Sequence, residues 1–220
     1  MIAKLEAEEA ETTITPTVEP TLPTLNFSME DLKAYETFDE IPLLKLKTAA
    51  LELLNEMTNP LMPRRWLSIT GVSGLGKTYI AKMVLKLYRQ KIQGFRNHLA
   101  MNNLAPESAR LPRFDSHFCS WGEVVEELRN KNYRIIPDLR DVAFLIVDDI
   151  GTEDKSAFIE GKLYELLSGR LGKWTIITSN KDSRDIAAQE RRIASRMVRD
   201  GNVLVNVRDS KDYSLRKFYK

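Results

Sequence analysis

The sequence holds a single cysteine, Cys119, which excludes an internal disulfide and a cysteine-based zinc cluster. Its only two histidines, His98 and His117, do not form a ligand cluster. No apolar run approaches the roughly 18 residues of a membrane span. Residues Met1 to Glu9 lack the apolar core of a signal peptide, so nothing directs export. A cytoplasmic protein with no membrane partner is expected. No histidine or second cysteine is spaced to activate the Cys119 thiol, which reads as a small buried hydrophobe in a strand. What remains is 43% hydrophobic and 29% charged over 220 residues, enough for one well-cored α/β domain with a tail.

The formal charge of +2 conceals an asymmetry. Residues 1 to 40 hold ten acids and two bases, a balance of −8 that leaves +10 for the remainder. A basic body suits a polyanionic partner, although surface charges also serve simply to solvate a protein. Residues 1 to 28 are rich in Glu, Thr and Pro, with Pro16, Pro20 and Pro23 in quick succession. They read as a disordered acidic tail, either solubilising or a partner-docking peptide, ahead of a folded domain over residues 29 to 220.

The stretch that organises the chain is Trp66 to Thr78. The apolar run WLSIT turns through Gly71-Val72-Ser73-Gly74-Leu75-Gly76 into Lys77, Thr78 and a helical pattern. Glycines at 71, 74 and 76 permit backbone angles that let successive N–H groups point at a polyphosphate. Lys77 then reaches the β and γ phosphates, Thr78 offers a hydroxyl to Mg²⁺, and the helix start presents its positive dipole end. The match to G-x-x-x-x-G-K-[ST] is complete and implies ATP and Mg²⁺ as ligands.

A second signal is the run Val142 to Gly151, VAFLIVDDIG. A continuous apolar stretch suits a strand buried on both faces of a parallel sheet, with carboxylates at the end where open α/β sheets place ligands. Asp148 is the expected Mg²⁺ partner. Asp149 is placed to accept a proton from, or orient, an attacking water. A further strand, Lys173 to Asn180, ends with Asn180 able to reach the γ-phosphate or that water.

Around these signals the pattern reads as follows. Leu43 to Met57 is an amphipathic helix, and the helix after the phosphate loop runs to about Gln93. Gly94 to Arg113 is a long mobile insertion. Phe114 to Ser120 is a strand, and Trp121 to Arg129 a helix with Ser120 as its N-cap. Arg129 to Arg140 is irregular and basic, with Arg129, Lys131 and Arg134 interleaved with Tyr133, a mixture that suits single-stranded nucleic acid. Ala157 to Leu171 is helical, Arg184 to Met197 is one helix, and Val203 to Val207 is the last strand. Strand alternating with helix predicts a parallel nucleotide-binding sheet with helices on both faces.

Taken together these residues resemble the AAA+ ATPases of the DnaC-type helicase loaders and the related IstB-like helper ATPases of transposition. The resemblance rests on Phe38-Asp-Glu, GVSGLGKT at 71 to 78, LIVDDIG at 145 to 151, ITSN at 177 to 180, RIASRM at 192 to 197 and DYSLRK at 212 to 217. It implies a P-loop NTPase core in which residues 71 to 78 form the Walker A loop, Asp148 and Asp149 the Walker B pair, and Asn180 sensor 1. Arg196 would be the arginine finger for a neighbouring subunit, with Arg192 as the alternative. Asp149 stands where many AAA+ proteins have Glu, which implies slow hydrolysis. Only 24 residues follow Arg196, so no C-terminal lid domain is expected and the site would be completed by oligomerisation. The implied function is a helicase loader that self-associates through the nucleotide site and binds a replicative DNA helicase and single-stranded DNA through Arg129, Lys131 and Arg134. The alternatives are an IstB-like helper acting on duplex DNA with a transposase, and a nucleotide-gated adaptor with little turnover.

Overall fold

Four nearly continuous apolar runs and the shorter Ser116–Ser120 segment assemble into one sheet in the computed structural model, which describes residues 27–32, 41–57, 62–101, 115–151 and 156–207. The strands are β1 (Trp66–Gly71), β2 (Ser116–Ser120), β3 (Phe144–Ile150), β4 (Trp174–Ser179) and β5 (Val203–Val207). All pairings are parallel, in the order β2-β3-β4-β1-β5. Parallel strands need crossover connections, and the helices supply them. These are α1 (Ile41–Met57), α2 (Lys77–Met101), α3 (Trp121–Arg129), α4 (Ile135–Asp141), α5 (Ala157–Ser168), α6 (Ser183–Gln189) and α7 (Arg191–Met197).

Side chains alternate across the strands, so each strand feeds two cores. Leu67, Ile69, Phe144, Ile146 and Ile176 pack with α1 and α2. Trp66, Leu145, Val147 and Ile177 pack with α3 to α7. Cys119 lies in β2, 5% exposed, as expected, and burial pushes its thiol up to about 12. We predict no reaction with a thiol reagent at pH 8 in the native protein and full reaction in 6 M guanidinium. Rapid native labelling would contradict this burial.

The base of the sheet is closed by Arg170, which is 0% exposed. Its guanidinium donates to Thr175 Oγ1 at 3.1 Å and to the carbonyls of Arg140, Val142, Ala143 and Trp174. Its own carbonyl accepts the Trp66 indole N–H at 3.1 Å. Burial lowers its pKa to about 10, which still leaves it charged at neutral pH.

Four expectations are corrected. Within the proposed tail only Phe27 and Ser28 are described, and Phe27 is 5% exposed in the α1/α2 core, its N–H donating to Asn55 Oδ1 at 2.8 Å. α2 continues through Gly94 to Met101, because Ile92 and Phe95 extend its buried stripe and packing outweighs the glycine penalty. The rest of the proposed insertion, 102–113, lies outside the described residues, as does Phe114 at the start of the expected strand. Residues 135–141 form a helix anchored by Ile136 and Leu139, with Pro137 tolerated in its first turn. The single helix expected over 184–197 is split at Glu190 (φ −133°, ψ 67°), so Ile186 on one piece and Ile193 and Met197 on the other all reach the core.

Candidate functional site

The loop joining β1 to α2 sits at the C-terminal edge of the sheet, between the ends of β4 and β5. Gly71 has φ 136°, and a Cβ there would lie 2.1 Å from the Val207 carbonyl oxygen, so no other residue fits this strand end. Gly74 and Gly76 follow at φ 76° and 77°, and the helix begins with Ile80 N–H donating to Gly76 O at 2.9 Å. A 25-residue helix thus starts directly after the loop and turns its positive dipole end toward it. Val72 and Ser73 are exposed on this loop, and Leu75 is buried beneath it.

Lys77 is 5% exposed and spends its ammonium on Gly71 O at 2.9 Å, Val72 O at 2.6 Å and Asn180 Oδ1 at 2.8 Å. Burial lowers its pKa, and Asp149 and Asp148 act against that shift. Asn180 then donates through Nδ2 to Asp149 Oδ1 at 2.6 Å. One amide therefore ties the loop lysine to the second acid of β3.

The first acid, Asp148, is 7% exposed. Thr78 Oγ1 donates to its carboxylate, at 2.9 Å from Oδ1 and 3.1 Å from Oδ2, and Thr178 Oγ1 donates to Oδ1 at 2.6 Å. Among the described residues no salt bridge neutralises it. A buried carboxylate beside a helix-start hydroxyl is a hard-oxygen donor set, which fits Mg²⁺ held by one carboxylate and completed by water and phosphate oxygens. Among the described residues no group of three or more His, Cys, Asp or Glu is placed to hold a metal ion.

Asp149 adopts φ 60°, in the left-handed region that costs a non-glycine residue on the order of 1 kcal/mol or more. The cause is a β-bulge. Val147 pairs with Ile177 and Ile150 with Ser179, so Asp148 and Asp149 together stand opposite Thr178. The bulge turns both carboxylates toward the phosphate loop. Sequence reasoning did not find Thr178, although it shares a strand face with Asn180, two residues on, and that spacing was the available signal.

Arg196 is not at this site within its own chain. Its Nη2 donates to Tyr164 Oη at 2.7 Å, and the guanidinium carbon lies 4.1 Å from the Tyr164 ring centroid. Arg192 lies 5.6 Å from the same ring. The Arg196 carbonyl accepts from Asn202, whose Oδ1 accepts the Trp66 N–H, so this end of α7 is anchored at the start of β1. The phosphate loop leaves the other end of β1, about 17 Å away at the usual strand rise.

The three basic residues expected to meet DNA lie around the α3–α4 turn. Arg129 pairs with Glu126 at 2.7 Å, and Arg134 lies 3.7 Å from Asp138. Lys131 is exposed, with φ 63°. Tyr133, 49% exposed, meets the equally exposed Phe158 of α5 edge to face at 6.1 Å.

The parallel sheet and the glycine loop after β1 give the chain the fold of AAA+ P-loop proteins. Three solved structures share this fold. The DnaC helicase loader matches at TM-score 0.58 and 18% identity, covering 80% of this chain and 95% of that one. DnaI matches at 0.55 and 19%, covering 85% and 94%. A replication initiator DnaA bound to AMPPCP and single-stranded DNA matches at 0.54 and 16%, covering 87% of this chain and 55% of that one. The chain spans about half the length of two DnaA chains it matches, each bound to AMPPCP. No protein-family model and no curated protein matches the sequence. Among the described residues no helix is long and apolar enough to cross a membrane.

Proposed function

We propose that this chain is an ATPase of the helicase-loader kind, which binds ATP with Mg²⁺, self-associates through the nucleotide site and helps place a replicative DNA helicase on single-stranded DNA. The observation that carries the nucleotide part is the convergence of Lys77, Thr78, Asp148, Asp149 and Asn180 at one strand edge through a continuous set of hydrogen bonds. Residues 71 to 76 line the phosphates with backbone amides. Lys77 exchanges its loop carbonyls for phosphate oxygens. Thr78 and Asp148 hold Mg²⁺, which when bound offsets charge on the phosphates. Asp149, fixed by Asn180, accepts the proton of the attacking water as its oxygen bonds to the γ-phosphorus and the bond to the ADP oxygen breaks. A shorter acid than Glu at this place supports slow turnover.

Arg196 acts on a neighbouring copy's site, since its own α7 is anchored at the far end of β1. Arg192 stays the alternative because both guanidiniums use the same ring. The helicase and single-strand parts of the reading are supported by the kinship of fold with a helicase loader and with a single-strand-bound initiator. For the DNA contact the support is the exposed Lys131 and Tyr133 at the α3–α4 turn. Replacing Arg129, Lys131 and Arg134 together by Ala should weaken single-strand binding about tenfold or more and reduce the slope of log affinity against log salt. An unchanged slope removes these residues from the DNA contact.

The deciding experiment is size-exclusion chromatography with the replicative helicase of the host, with and without ATP, and Lys77→Ala as control. ATP-dependent co-elution supports the loader reading. ATP-dependent assembly on duplex DNA without co-elution moves the reading to a transposition helper. Co-elution that an Asp149→Asn variant reproduces through a full loading cycle makes the chain a nucleotide-gated adaptor.

A further inference from the structure

We propose that Thr178 is the positioning residue of the hydrolytic site, setting the geometry of both adjacent acids through one hydroxyl; the inference rests on the nucleotide-site reading above. A threonine hydroxyl has one donor and two acceptor sites. Here the donor goes to Asp148 Oδ1 at 2.6 Å, and an acceptor site takes the Asp149 N–H at 2.9 Å. The hydroxyl lies in the β-bulge, where two residues of β3 face one of β4 and Asp149 holds φ 60°. Bulged backbone has no ladder partner at the extra residue, so a side chain must take up its amide. Thr178 does so, and at 1% exposure no water competes for the position.

The two bonds act on different parts of the site. The bond to Asp148 fixes the rotamer that also accepts from Thr78, and so sets where a carboxylate oxygen meets the metal. The bond to the Asp149 amide holds the left-handed turn that brings its carboxylate to Asn180. β-Branching contributes as well, because χ1 of threonine is restricted in a strand and the hydroxyl has few other directions. Valine at this position keeps shape and branching and loses both bonds. Serine keeps the hydroxyl.

The test compares Thr178→Val and Thr178→Ser with the unaltered full chain. In the nucleotide-free protein, NMR-detected exchange of the Asp149 amide should accelerate at least about tenfold in Thr178→Val, since its partner is gone. With Mg²⁺ and ATP, kcat should fall about ten- to hundredfold and the Mg²⁺ concentration for half-maximal rate should rise. ATP affinity without Mg²⁺ should stay within about threefold, because the loop and Lys77 are untouched. Thr178→Ser should restore exchange and kcat to within about threefold. Should Thr178→Val fail to fold, Thr178→Ala carries the same comparison. Wild-type exchange together with wild-type Mg²⁺ dependence in the Val or Ala variant overturns the inference. So does failure of Ser to rescue. If the unaltered chain binds no ATP, the nucleotide reading itself falls, whatever the amide exchange shows.

Discussion

Arg170→Leu is expected to be unfolded at 37 °C. The guanidinium is fully buried and satisfies four main-chain carbonyls around the starts of β3 and β4 and one threonine hydroxyl. Leucine has no donor, and each buried acceptor left without a partner costs about 1–3 kcal/mol. Even with water reaching two of them, the loss approaches about 5 kcal/mol, which is the whole margin of many domains. Urea denaturation followed by far-UV circular dichroism measures it. Arg170→Lys should fall between, because an ammonium has three donors and no planar fork to span two strands. A stability of Arg170→Leu within about 1 kcal/mol of the parent would show that the carbonyls find other partners.

The second large effect concerns Lys77→Ala, which should bind ATP poorly and turn over about 10²–10³-fold more slowly, the usual scale for removing one charged donor from a preorganised site. Fluorescent-nucleotide titration and phosphate release measure the two quantities. The variant should still fold, since the lysine's partners are two loop carbonyls and an exposed asparagine. A pH dependence follows from the same burial. The protonated amine is the form that meets phosphate, and burial lowers its pKa below that of a free lysine. Affinity for ATP should therefore decline as pH rises through the alkaline range, before an ordinary lysine would lose its charge. Affinity that holds flat to pH 10 would show that the bound phosphates keep the amine charged.

The parts of this architecture that could be read in the sequence are those written as local patterns. The run at 143–147 is unbroken, and those at 66–70 and 174–177 nearly so, because their strands are buried on both faces, and the glycines at 71, 74 and 76 mark positive-φ backbone that other residues rarely adopt. The parts that could not be read are contacts between distant residues of unremarkable type. Arg170 looks like one more base in a turn, Tyr164 like a helix-surface aromatic, and Thr178 like any β-branched strand residue. Phe27 reads as tail because one aromatic in a polar stretch carries no period, yet it is held in the core beneath the Lys91 ammonium, 4.6 Å from its ring centroid. Gly94 misled in the opposite sense, since its propensity argued for an ending that Phe95, one residue on, overrides.

The anchoring of Arg196 at one end of β1, with the phosphate loop at the other, has a consequence for assembly. An arginine that serves another copy's nucleotide from that position requires two different surfaces to meet, so contacts of this kind are head-to-tail and cannot close as a two-fold pair. An open row of n copies then contains n − 1 completed sites and one bare end. Specific activity in such a system would rise with protein concentration toward a plateau instead of staying constant, and each Arg196→Ala copy mixed into the row would silence only the one site its arginine completes.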